Sequence, residues 1–243
     1  IPNRSNLAPR FASPPYDPGN AHSVAYQWGT TGIAYRSDRV RDAPTSWATL
    51  WDEAYGGKMT MLDDVREVIG IALKRLGYSL NSTDPAQLAE AKALCIEQKR
   101  LLKAYISAPV KAQVIAGDVW IAQLWSGDAF QAQAEEPAIE YVVPEEGSAI
   151  WADNLCIPKS APHKRAAHAW IDYVLRPEVS AAISRKVRYS SPNAAARDRL
   201  PDEMRSNPGM YPPDAVMDRL EWQRDLGEAT RLWSRIWTEI KAA

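Results

Sequence analysis

Hydrophobic and polar positions along the chain alternate between two periods, and the places where the period changes divide it into strands and helices. After a proline-rich opening of 22 residues that reads as a loop, His22 to Arg36 (HSVAYQWGTTGIAYR) alternates as a strand broken by Gly29 and Gly32. Trp47, Leu50 and Trp51 recur at helical spacing, which predicts a helix over Trp47–Ala54, capped by Thr45 or Ser46 and ended by Gly56-Gly57. Lys58 to Leu62 (KMTML) predicts a short strand, and Asp63-Asp64 opens a helix through Leu76 that closes at Gly77. Pro85 in a first turn and the stripe Leu88, Ala91, Leu94 and Leu101 predict a second helix running to Tyr105.

Further along, the pattern predicts a short helix at Ala108–Ala116, a buried strand at Val119–Trp125 (VWIAQLW), a helix from Ser126 through Gln133 and a strand at Ile139–Val143. Ser148 to Ile157 (SAIWADNLCI) reads as extended, Pro162–Leu175 as an amphipathic helix with His163 and His168 on its surface, and Glu178–Val187 as another helix. Beyond the Tyr189-Ser190-Ser191-Pro192-Asn193 turn the chain reads as helical, interrupted near Asn207–Pro213, with a long last helix over Ala215–Lys241. Alternating strands and helices indicate an α/β protein with a largely parallel sheet. Periodicity leaves open whether the strands form one sheet or two.

Composition narrows the function classes. With 243 residues, 46% hydrophobic and 24% charged, the chain is ordinary globular material for one large domain or two lobes, and it has no apolar run of membrane length. Twenty-nine Lys plus Arg against thirty Asp plus Glu give a net charge of -1, so no global field draws the protein to nucleic acid or anionic lipid. A charged ligand must be met locally. Cys95 and Cys156 lie far apart with no CxxC pair and only three His, which argues against a zinc site, and both are expected as free buried thiols. The sequence opens at Ile1 with no basic-then-apolar leader, as expected of a processed or excised form. Ten Trp and ten Tyr against two Phe favour rings with a polar handle, which hints at a binding surface.

Two constellations carry chemistry. Asp64 and Glu67 stand three apart where a strand ends and a helix begins, the edge at which open α/β sheets bind ligands, so both carboxylates can face one crevice. The same spacing is also a helix capping box, the commoner cause of such a pair. Trp151 and Asp153 fall on one face of an extended segment, an apolar wall beside a negative charge that suits an alkylammonium, although a core Trp beside a surface Asp gives the same pattern. Trp125-Ser126-Gly127-Asp128 ends a strand and turns into a helix at the ligand-facing edge, while Tyr189 and Gln223 each offer a polar tip. No G-x-S-x-G, G-x-x-x-x-G-K or H-E-x-x-H motif is present, so no catalytic residue and no cofactor is expected. Paired acids with tryptophans also describe a glycoside hydrolase, but Asp64 and Glu67 share one helical turn, too close to flank a sugar comfortably at the about 5 Å or more that hydrolysis uses.

Taken in order, Tyr26-Gln27-Trp28-Gly29-Thr30-Thr31-Gly32-Ile33, Leu62-Asp63-Asp64-Val65-Arg66-Glu67-Val68, Leu76-Gly77-Tyr78-Ser79, Leu124-Trp125-Ser126-Gly127-Asp128, Trp151-Ala152-Asp153-Asn154, Leu175-Arg176-Pro177-Glu178-Val179, Tyr189-Ser190-Ser191-Pro192-Asn193 and Glu221-Trp222-Gln223 resemble the spermidine/putrescine-binding proteins of bacterial ABC importers, over essentially the whole chain. The resemblance implies a two-lobed periplasmic-binding fold of type II that holds a linear polyamine and hands it to an inner-membrane permease, either periplasmic or lipid-anchored outside the cell. It makes Asp64, Glu67 and Asp153 acids that take ammonium groups, Trp125 and Trp151 indoles that pack on methylenes, and Tyr189 and Gln223 polar contacts. Trp28 falls near the first hinge crossing, in a hinge or core role, Trp222 near hinge or cleft, and Trp47, Trp51, Trp120 and Trp170 on helix faces or in a strand core.

On the family pattern, 1–29 and 153–199 are the remainder of the amino-terminal lobe, 32–149 and 204–243 the other lobe, and 30–31, 150–152 and 200–203 the crossings. The start of the amino-terminal lobe is expected to be missing, which would weaken binding and favour self-association through an unpaired sheet edge. Another cationic solute, or a fragment that binds nothing, are the alternatives to a polyamine.

Overall fold

The computed structural model describes all 243 residues. In chain order the elements are α1 (Pro9–Ala12), β1 (Ser23–Arg36), 3-10 turns at Trp47–Trp51 and Glu53–Tyr55, β2 (Met59–Met61), α2 (Val65–Arg75), α3 (Pro85–Lys99), β3 (Leu102–Tyr105), α4 (Val110–Ile115) and β4 (Ile121–Trp125). There follow α5 (Ser126–Glu135), β5 (Ile139–Val142), β6 (Ala149–Cys156), α6 (Lys164–Val174), α7 (Pro177–Val187), α8 (Ala194–Arg197), α9 (Asp202–Arg205), α10 (Asp214–Met217), β7 (Glu221–Trp222) and α11 (Ala229–Ala242). The chain divides into two compact units, Ile1–Gly29 with Trp151–Pro212 and Thr30–Ile150 with Pro213–Ala243.

The strand order is β3-β2-β4-β1-β6-β7, with β5 also on β1. β2 pairs parallel with β3 and β4, and β6 pairs parallel with β7. β1, however, runs antiparallel to both β4 and β5, so the sheet is mixed rather than largely parallel. Ile33 shows why β1 is central: Gln123 lies opposite it on one side and Val142 on the other. Nor do Gly29 and Gly32 break that strand, which runs unbroken for 14 residues. At Gly32 the missing side chain is a packing requirement, since a β-carbon there would sit 2.4 Å from the Val142 carbonyl oxygen and 2.5 Å from the Tyr141 ring.

Three other expectations give way to tertiary contacts. Trp47–Ala54 forms 3-10 turns because Ser46 Oγ caps Ala48 while the Glu146 carboxylate takes the Trp47 N–H at 3.0 Å. The helix expected through Tyr105 ends at Lys99, and Leu102–Tyr105 becomes strand by pairing with β2. The long terminal helix is likewise split. Glu221–Trp222 pairs with Ala149–Ile150, the Glu221 carboxylate meets Lys74 Nζ at 2.9 Å, and the Trp222 carbonyl accepts from Asn81 Nδ2 at 2.9 Å.

The core of the second unit joins Met59, Met61, Val68, Ile69, Ile71, Leu88 and Cys95 to Trp47, Leu50, Trp233 and Ile240, all essentially inaccessible to water. Each such aliphatic side chain contributes about 1.5–3 kcal/mol of transfer free energy. The buried indoles keep their N–H groups satisfied, Trp47 on the Gly147 carbonyl at 2.9 Å, Trp51 on that of Leu94 at 2.9 Å and Trp233 on that of Ser82 at 3.1 Å.

In the first unit Trp28 is core: its ring meets Phe11 at 5.3 Å and Tyr211 at 6.1 Å, and its N–H donates to the Ser191 carbonyl at 3.1 Å. Asn193 joins two elements, capping α8 through Ala196 N and donating to the Leu175 carbonyl at 2.7 Å. Ser190 Oγ donates to the Met210 carbonyl at 2.6 Å, and Ser191 N to Tyr211 Oη at 3.2 Å. With Leu200, Met204, Met210 and Tyr211 buried as well, these bonds hold 200–212 in the first unit, so the change of unit falls at Pro212–Pro213 and not at 200–203. On α6 only Ile171 and Val174 are buried, and Trp170 is 61% exposed on the outward face with His163 and His168. Both cysteines are free, but only Cys95 is buried; Cys156 ends β6 exposed.

Candidate functional site

The carboxyl ends of β2 and β4 in the second unit deliver the first cluster. β2 stops at Met61, and the Leu62 N–H is taken by Gln123 Oε1 at 3.2 Å, which turns the chain toward α2. Asp64 is the N-cap: its extended backbone lets Oδ1 accept from Arg66 N at 2.8 Å and Glu67 N at 3.0 Å. Both bonds fall on Oδ1, which leaves Oδ2 outside the cap. Half of the capping box therefore exists. The other half is replaced, because the Glu67 carboxyl does not return to the Asp64 backbone but is buried, 5% exposed, beneath Gln223.

Glu67 is held at three points. Its N–H is on Asp64, its carbonyl accepts from Gln123 Nε2 at 3.1 Å, and Oε1 accepts from Gln223 Nε2 at 3.3 Å. Its Oε2 is buried with no hydrogen-bond partner, as is the nearby hydroxyl of Thr31. Burial pushes the carboxyl up to about 7, and the Asp64 charge adds to that rise. The Thr31 hydroxyl, the Trp125 indole and the Arg66 charge act the other way, although Thr31 Oγ1 closes no full-geometry bond to the acid.

Arg66 does not neutralise Glu67 by contact. Its guanidinium is turned aside, donating to the Arg224 carbonyl and to Asn81 Oδ1, both at 2.8 Å, with its centre 5.0 Å from the Trp233 ring. Trp125, half-buried at the end of β4, lies opposite Thr31 in the β1–β4 register. Tyr141 braces the adjoining backbone, donating to the Thr30 carbonyl at 2.9 Å while its oxygen lies 2.8 Å from Thr30 Oγ1. The structure thus brings Asp64, Glu67, Trp125 and Gln223 together. Sequence inspection missed Thr31, Gln123 and Tyr141; the signal for Gln123 was a lone amide inside the apolar run VWIAQLW.

The first unit holds Trp151, Asp153 and Tyr189. Trp151 meets Tyr189 edge to face, ring centroids 5.4 Å apart and planes at 66°, and its indole N–H is buried without a partner. Asp153, two residues on in the same strand, is exposed, and partial desolvation raises its carboxyl above the ordinary aspartate value. An aromatic wall and an acid are again neighbours along β6. Such pairs suit a cation with an apolar stem, since the indole face attracts positive charge and the carboxylate neutralises it.

The sequence profile described as bacterial extracellular solute-binding protein matches residues 5–212. The chain is 36% identical over 246 residues to the spermidine/putrescine-binding periplasmic protein of Escherichia coli (strain K12), spanning 100% of this chain and 70% of that one. It is 35% identical to a putrescine/agmatine-binding protein of Pseudomonas aeruginosa, spanning 93% and 66% of the two chains. Among solved structures, a spermidine/putrescine ABC transporter substrate-binding protein of Streptococcus pneumoniae superposes with a TM-score of 0.91 at 35% identity, covering 99% of this chain and 75% of that one.

Proposed function

The chain belongs to the bacterial extracellular solute-binding proteins, and from that premise we propose that it is a periplasmic receptor that captures a linear polyamine for an ABC importer. The observation that carries the reading is the Glu67 cluster, in which a buried carboxyl with an unpartnered oxygen stands beside an indole, an amide and a second acid. An alkylammonium answers each part of it. Its N–H groups donate to Glu67 Oε2 and toward Asp64, and its methylenes lie on Trp125. Each charged hydrogen bond so formed contributes about 1.5–3 kcal/mol, and cation–π contact about 0.5–2 kcal/mol. Trp151, Tyr189 and Asp153 offer the same chemistry in the other unit. Capture leaves the ligand chemically unchanged, and an inner-membrane permease is the partner that receives it.

A thermal-shift panel tests the reading, because a ligand that binds only the folded form raises its melting temperature by mass action, about 2.7 kcal/mol at a hundredfold excess over Kd. Putrescine, cadaverine, agmatine and spermidine form the cationic arm, with neutral sugars and acidic amino acids as controls. A rise with one or more polyamines and none with the controls is expected. Stabilisation by a sugar alone, or by nothing in the panel, would overturn it.

A further inference from the structure

Resting on the polyamine reading, we propose that capture of an alkylammonium at Glu67 drives the proton of that carboxyl out to solvent wherever it is present, so that ligand binding by this receptor is proton-linked. The Glu67 O–H bond breaks, the proton leaves to buffer, and the carboxylate that remains pairs with the ammonium. Charge is balanced by the cation that enters.

Geometry favours the acid form. The side chain is 5% exposed, Oε2 has no hydrogen-bond partner, and the only bond to Oε1 comes from the neutral amide of Gln223. A buried carboxylate in such a place is costly without a cation in contact. Among the charged groups around it, Asp64 on the same helix opposes ionisation, and Arg66 favours it from a distance while committed to the Arg224 carbonyl and Asn81. Asp225, after β7, bears on Arg66. From β1 and β4 the groups facing Glu67 are Thr31, Gln123 and Trp125, none of which titrates near neutrality. The deprotonated site is therefore short of one positive charge, the charge that the ligand brings.

The consequence is quantitative. With the ligand-free carboxyl at about 7, and the bound one lowered from that by about 1–3 through contact with a cation, capture releases about 0.4–0.9 proton at pH 6, about 0.4–0.5 at pH 7 and under about 0.1 at pH 8.5. Affinity for a fixed-charge diamine falls about five- to tenfold from pH 8 to pH 6. The alkylammonium groups stay protonated across that range, so the ligand does not cause the change.

Titration calorimetry with putrescine tests this, in two buffers of different protonation enthalpy at each pH; the difference in observed heat counts the protons. The expected result is release that fades above pH 7 and vanishes in Glu67→Gln. Putrescine binding at pH 6 with equal heats in both buffers overturns the linkage and leaves the receptor reading standing. Absence of any polyamine binding overturns that reading and the linkage with it. Release that persists undiminished in Glu67→Gln assigns the proton elsewhere and overturns the proposal. Should the variant bind too weakly to titrate, infrared difference spectra of the wild type decide, since the protonated carboxyl band must disappear when putrescine is added.

Discussion

Asp64 is asked to do two things, cap α2 and receive a cation, and two substitutions separate them. Asp64→Ala removes the acceptor of the Arg66 and Glu67 N–H bonds at 2.8 and 3.0 Å, which costs about 0.5–2 kcal/mol of stability. Asp64→Asn keeps an oxygen at the cap and gives up only the charge–dipole share, about 0.3–1 kcal/mol and less at physiological salt. For a ligand the two variants are alike, because each deletes the carboxylate and with it a charged hydrogen bond of about 1.5–3 kcal/mol, a loss of about ten- to hundredfold in affinity. Urea unfolding followed by tryptophan emission gives the stabilities, and putrescine calorimetry the affinities. Wild type and Asn should lie close in stability with Ala below, while Asn and Ala should lie together in affinity, far below wild type. Wild-type affinity in the Asn variant would reduce Asp64 to a cap; undiminished stability in the Ala variant would remove the cap.

Glu67 is raised from 4.5 to about 7, so its acid form favours folding fully below pH 4.5 and that contribution is lost as pH rises through 7; Glu67→Gln should unfold like wild type near pH 4.5 and be more stable at pH 8 by on the order of 3 kcal/mol without ligand. Stability curves of the two proteins that run parallel from pH 4.5 to 8 would contradict this. Gly32→Ala should lower the urea midpoint sharply, at the upper end of the about 1–3 kcal/mol usual for overpacking, because a backbone carbonyl 2.4 Å away cannot rotate aside. A midpoint equal to wild type would show that β5 moves freely from β1. Cys95 is buried and its thiol pushed up to about 12, so a disulfide reagent at pH 8 should titrate one cysteine in the native protein, the exposed Cys156, and two in denaturant. Two fast thiols in the native state would contradict the packing.

Much of the site was legible because its residues sit where the chain changes period. Asp64 and Glu67 straddle the switch from strand to helix, and Trp151 and Asp153 share a strand face; both facts follow from backbone geometry alone. What the sequence could not resolve was the fate of each side chain. A capping box and a ligand acid have the same spacing, and the structure splits the difference, with Asp64 capping and Glu67 buried under a glutamine 156 positions away. The tryptophan excess misled in part, since Trp28, Trp47, Trp51, Trp120 and Trp233 each donate to a backbone carbonyl, which accounts for indole over phenyl without any ligand. The failures at β3 and β7 share a cause. Each is a short segment of helical periodicity that becomes strand by pairing with residues at least about 40 positions away, a contact that no local pattern contains.

The three-point anchoring of Glu67 carries a kinetic corollary. With N–H, carbonyl and side chain all tied down, the rotamer and backbone freedom of this residue is lost when the protein folds, and little of it remains to be lost when a ligand arrives. Encounter is then set by diffusion and by the field of the acids, which differ little from one diamine to the next. Discrimination among chain lengths falls to residence time: a poorly matched ligand enters this end as readily as the right one and leaves sooner.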